Sequence, residues 1–142
     1  RTLIKHEMLV KVLSEILGVN AADVEALNVE DLSQPSTLVL LESHTHKSGF
    51  RMDLTLYLDS KVPSCLTGVD LARRLAIALS QDVLTSPPVT ADRVVPSPYL
   101  WILARPNGSL FFVHEIGTES EDVEIDWNPT HMQPLPDPAN HL

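Results

Sequence analysis

With 142 residues, 44% of them hydrophobic, the chain has the length of one domain that buries roughly 70% of the surface its unfolded form exposes. One cysteine, Cys65, excludes an intrachain disulfide and gives no reason to expect an oxidising compartment. A formal charge of -9, with 10 Lys and Arg against 19 Asp and Glu, argues against nucleic acid as a ligand, because phosphate binding needs clustered cations and only Arg73 and Arg74 are adjacent.

The first predicted element is an amphipathic helix. Ile4, Met8, Leu9, Val12, Leu13, Ile16 and Leu17 recur at helical spacing and Gly18 supplies the left-handed stop. Residues 20–32 hold one further turn at most, capped by Asn20 or Asp23, with Val24, Leu27 and Leu32 facing inward. Pro35 then ends any helix. Residues 37–41 read as a strand, and residues 51–58 alternate, with Met52, Leu54, Leu56 and Leu58 on one face and Arg51, Asp53, Thr55 and Tyr57 on the other. The polar stretch 42–49 between them, which carries His44 and His46, reads as an exposed hairpin loop.

The sequence Thr67-Gly68-Val69-Asp70 has the spacing of a capping box with Asp at its fourth position, and predicts a second helix over 68–80. Leu71, Leu75, Ala78 and Leu79 form its inward stripe, while the small Ala72, Ala76 and Ala78 allow close approach to a sheet. Val83 and Leu84 offer a short strand before the proline-rich connection 86–98. The apolar run 99–104 fits a strand covered on both faces. Arg105-Pro106-Asn107-Gly108-Ser109 is hairpin-turn chemistry, returning the chain as a partner strand over 110–114. The Asn107-Gly108-Ser109 triplet also matches a glycosylation acceptor, but without a secretory signal it reads as part of the turn. Residues 122–127 alternate again and predict an edge strand, with Val123, Ile125 and Trp127 on one side and Asp122, Glu124 and Asp126 on the other.

These elements predict an α+β fold in two layers: an antiparallel sheet of four to five strands with two helices on one face, in tandem αββ order. The domain is expected over 1–127, with Pro129, Pro134, Pro136 and Pro138 giving an extended tail over 128–142. No apolar run approaches the roughly 20 residues of a membrane span, and the N-terminus lacks the pattern of a signal peptide, so a cytoplasmic protein without membrane contact is expected. The start at Arg1 instead of Met leaves room for a removed leader.

Enzyme chemistry finds no positive support. His44 and His46 would project to one side of an extended backbone, as a metal site requires, but no third ligand lies near them in sequence. A metal-dependent hydrolase using that pair, with His114 and an acid such as Asp53, is therefore only an alternative. His6-Glu7 and His114-Glu115 lack the second histidine of a zinc-protease helix, and Cys65 has no local signature of a nucleophile. Phosphate loops and dinucleotide fingerprints are absent from the sequence, and no cofactor is expected.

Charge is the most informative feature. Residues 117–142 hold Glu119, Glu121, Asp122, Glu124, Asp126 and Asp137 and no Lys or Arg. An acidic strand face opposes edge-to-edge pairing, and it also favours a basic partner. Trp127 at its end offers an aromatic anchor. The candidate partner-binding residues are Glu119, Glu121, Asp122, Glu124, Asp126 and Trp127.

The second half, from the helix 68–80 through Asp82-Val83-Leu84 and the hairpin 98–109 to the acidic strand, resembles small bacterial immunity proteins that neutralise toxins of polymorphic or contact-dependent systems. That resemblance implies an acidic, cytoplasmic, non-enzymatic inhibitor of a basic protein toxin, and carries over no site residues. An acidic secretion chaperone for a basic effector, which would be a homodimer, is the second alternative.

Overall fold

The computed structural model describes residues 3–26, 38–63, 66–87, 99–117 and 122–135. It is an α+β protein, and the chain divides into two compact units, Arg1–Cys65 and Leu66–Leu142. The strands fall into a sheet of three and a sheet of five, where the sequence predicts one sheet.

In the first unit the apolar spacing produces α1 (His6–Leu17), which buries Leu9, Val12, Leu13 and Leu17 but leaves Met8 49% exposed. Gly18 stops the helix in the left-handed region at φ 70, with its N–H on the Ser14 carbonyl. A 3-10 turn, Ala21–Asp23, follows from Asn20, whose side chain makes no cap bond. Val24, buried, then opens β1 (Val24–Ala26). Leu27 and Leu32 lie outside the described residues. β1 runs parallel to β2 (Val39–Thr45), and β2 pairs antiparallel with β3 (Met52–Leu58). Leu17, Val24 and Val39 form the buried centre, joined by Leu56 and Val62.

The β2–β3 ladder extends further than the apolar run suggests. His44 is a strand residue directly opposite Asp53, not part of a loop, and only 46–51 connect the strands. Ladder hydrogen bonds depend on a partner backbone and not on side-chain polarity, so a wet face admits polar residues without ending the strand. Met52, Leu54 and Leu56 are half-buried and Asp53, Thr55 and Tyr57 exposed, as alternation requires, while Leu58 departs from it at 48% exposure.

The second unit begins with α2 (Gly68–Leu79) and the expected capping box: Asp70 N–H donates to Thr67 Oγ1 and Thr67 N–H to Asp70 Oδ2, both at 3.2 Å. Ala72 and Ala76 pack against Ile102, Ala104 and Leu110 of the sheet, whereas Ala78 is exposed. The sheet runs β4 (Val83–Thr85), β5 (Leu100–Ala104), β6 (Leu110–Ile116), β7 (Glu124–Ile125), all antiparallel. β8 (Gln133–Pro134) also pairs with β6. Ile102, Leu103, Ala104 and Val113 are at most 1% exposed, so the middle strands are covered on both faces, as the apolar run predicts.

Arg105 accepts from Gly108 N–H at 2.9 Å, and Gly108 at φ 88 takes the left-handed position of the turn. Asn107 keeps negative φ and contributes through its side chain, which accepts from Ser109 N–H at 3.0 Å. From α2 across the sheet, Arg73 Nε donates to the Gly108 carbonyl at 2.9 Å, fixing this turn to the helix.

Each unit thus begins helix, short strand, hairpin, with a short strand between helix and hairpin that the predicted αββ order lacks, and the second unit adds β7 and β8 after its hairpin. Residues 128–135, expected as extended tail, are built into the edge of the second sheet.

Candidate functional site

The predicted acidic strand 122–127 is cut to two residues, Glu124 and Ile125, which pair with Ile116 and Glu115. The chain leaves the ladder after Asp126 N–H donates to the His114 carbonyl at 2.8 Å, and returns at Gln133, opposite Phe112. Residues 126–132 therefore bulge from an otherwise continuous edge. Local side-chain bonds drive the excursion: Asp126 Oδ1 accepts from Asn128 N–H at 2.9 Å, and Asn128 Oδ1 accepts from Thr130 N–H at 3.1 Å, capping the 3-10 turn Pro129–His131. Pro129, at the start of that turn, has no N–H to give to a ladder.

The expected uniform face of Asp122, Glu124 and Asp126 is not formed, because two of these carboxylates serve their own chain. Glu124 Oε1 accepts from the Trp127 indole N–H at 2.9 Å and from Ile125 N–H at 3.0 Å. Asp126 Oδ2 is bonded to His131 Nδ1. Asp122 is half-buried. Glu119 and Glu121 lie outside the described residues. These two neutral donors hold the Glu124 carboxylate in place. Asp126 is driven below the usual carboxyl range of 3.8, first by the Asn128 amide, then by the His131 hydrogen bond, with the charges of His131 and His114 adding to it.

Beside this edge lies a cleft of about 360 Å³, lined by Arg105, Asn107 and Ser109 of the hairpin turn together with Phe111, Trp127, Pro129 and Met132. Arg105 lays its guanidinium 5.5 Å from the centroid of the Trp127 ring, a cation–π contact. Its Nε lies 3.0 Å from Asp82 Oδ1, close enough to pair, although the N–H is poorly aimed at that buried oxygen, which has no hydrogen bond. The pairing of Asp82 with Arg105 has no signal in sequence, since 22 residues separate them. Trp127 is legible in the sequence as an aromatic anchor, but its cation is not, because Arg105 comes from a different strand connection.

In the first unit, Glu42 joins both strands of the hairpin: Tyr57 OH donates to its Oε2 and His44 Nε2 bonds its Oε1, each at 2.9 Å. These bonds lower the Glu42 pKa, His44 first and Tyr57 second, while the carboxylate raises that of Tyr57 above its usual 10.0. His46 lies past the strand end, its N–H on the Arg51 carbonyl at 2.7 Å. Among the described residues no group of three or more His, Cys, Asp or Glu is placed to hold a metal ion, and Cys65 lies outside them. His44 has instead a carboxylate and phenol network that sequence spacing did not reveal. Glu42 and Tyr57 become diagonal neighbours only once the hairpin register is known.

No family model matches this chain, and no curated protein or solved structure matches it. No helix among the described residues is long and apolar enough to cross a membrane.

Proposed function

We propose that this protein is a non-enzymatic binding module of the immunity type, which docks a basic protein toxin on the acidic edge of its second unit. The observation that carries the proposal is the concentration of charge: residues 117–142 hold six carboxylates and no Lys or Arg. Glu124 and Asp126 support it further, because hydrogen bonds from their own chain hold both carboxylates in place on that edge. Fixed charges of one sign steer an oppositely charged partner and penalise partners of like charge. The bacterial toxin as partner class rests on the sequence resemblance of the second half.

The test is affinity for a basic protein encoded in the neighbouring reading frame, measured with purified components at several salt concentrations. Binding that weakens as salt rises, and that is lost when Glu119, Glu121, Asp122, Glu124 and Asp126 are changed together to Gln or Asn, is the expected result. Affinity unchanged by that neutralisation refutes the acidic edge as the docking surface.

A further inference from the structure

The cleft beside the acidic edge has a chemistry opposite to its surroundings. Its polar wall is rich in donors. Arg105 lies with Nε 3.0 Å from Asp82 Oδ1 and its guanidinium over the Trp127 ring, where it contributes donors to the cleft. Asn107 is oriented by Ser109, whose N–H and hydroxyl both donate to Asn107 Oδ1. That uses the acceptor end of the amide, and its Nδ2 end can only donate. A guanidinium fork beside an amide N–H forms a carboxylate receptor, because both groups donate and neither accepts. The rest of the lining is apolar and aromatic, made by Phe111, Trp127, Pro129 and Met132.

Size narrows the choice. A volume of about 360 Å³ lies at the lower end of the roughly 300–1,000 Å³ spanned by small-molecule sites. One ring with a short acidic arm fits such a space. The Trp127 edge is held by its indole bond to Glu124, so the apolar wall is already in position before a ligand arrives.

We propose that this cleft is a binding site for a small aromatic monocarboxylate, whose carboxylate meets Arg105 and Asn107 and whose ring lies against Phe111, Trp127 and Met132. The site shares Trp127, Pro129 and Met132 with the bulge 126–132 of the acidic edge, but binding a small acid there does not require a protein partner.

The intact chain, labelled with nitrogen-15, is titrated with 3-phenylpropionate and with its neutral amide, and the indole N–H signals of Trp101 and Trp127 are followed by NMR. The expected result is a saturable shift of the Trp127 signal by the acid, with the amide about tenfold weaker or more, the margin of one charge-assisted bond. Asn107→Asp keeps the acceptor that orders the turn but replaces the donor with a negative charge. It should weaken the acid by at least about tenfold and leave the amide within about twofold. Equal affinities for acid and amide, movement of the Trp101 signal alone, or no saturation by either probe up to about 10 mM overturns the proposal.

Discussion

Asp126 shows how one side chain decides both a turn and a charge. Its carboxylate holds the Asn128 amide and the His131 ring, and these bonds depress its pKa below 3.8. A group whose folded pKa is depressed adds stability above its unfolded pKa, roughly 3.9 for Asp, and loses it as pH falls through the folded value. The turn 126–131 is therefore expected to loosen only in that acid window. A carbon-13 titration of the Asp126 carboxyl should give a midpoint below 3.8, and His131→Ala should return part of the shift and not all of it, since the Asn128 amide remains the largest single cause. Gly108 makes a second prediction at this scale. It is buried at φ 88, and a Cβ there would lie 3.4 Å from Ile77 Cδ1 and 3.5 Å from Arg73 Nε. Gly108→Ala should cost about 1–2 kcal/mol in urea unfolding, mostly from the left-handed backbone.

At the scale of the element, the two helices of 12 residues end alike and are stopped by different residues. Gly18 takes the left-handed position at no steric cost, whereas Ser80 takes it at φ 53 with its N–H on the Ala76 and Ile77 carbonyls. Ser80→Gly should therefore stabilise the second unit by about 0.5–1 kcal/mol, measured as a rise in the urea midpoint at constant slope. Thr67→Ala, which removes the capping box at the other end of α2, should cost about 1 kcal/mol. The start of α2 and the stop of α1 were legible because each is written in local chemistry: Thr67 with Asp70, and Gly18. The truncation of β7 does not show in the alternation of residues 122–127, although its cause is also local. Residues 122–127 alternate well enough for a full strand, but Asp126, Asn128 and Pro129 bond to their own backbone or withhold a donor, and that competition outweighs alternation at an edge. The extension of β2 through His44 failed to show for the opposite reason, because pairing with β3 overrides a polar sequence.

For the molecule as a whole, the division into two sheets could not be read from periodicity, which reports each element's buried face and not which elements share a ladder. Charge, by contrast, survives folding as an additive property. The second unit carries ten acidic residues and four basic ones, so the asymmetry seen in the sequence belongs to one unit. The individual roles of the acids were not legible, because which carboxylate serves its own chain depends on turns such as 126–131. These two facts separate into a kinetic prediction for the proposed complex. Glu124→Gln and Asp126→Asn each retain the oxygen that accepts from Trp127 or Asn128, so the edge should keep its shape while losing two charges. If the edge acts by steering, the double variant should slow association with the basic partner several-fold at low salt and leave dissociation nearly unchanged, because exposed charges act on encounter more than on the docked state. The deficit should shrink as ionic strength rises and the screening length falls below about 10 Å. Stopped-flow association across a salt series reads both quantities, and a change confined to the dissociation rate would place these two carboxylates inside the contact instead of around it.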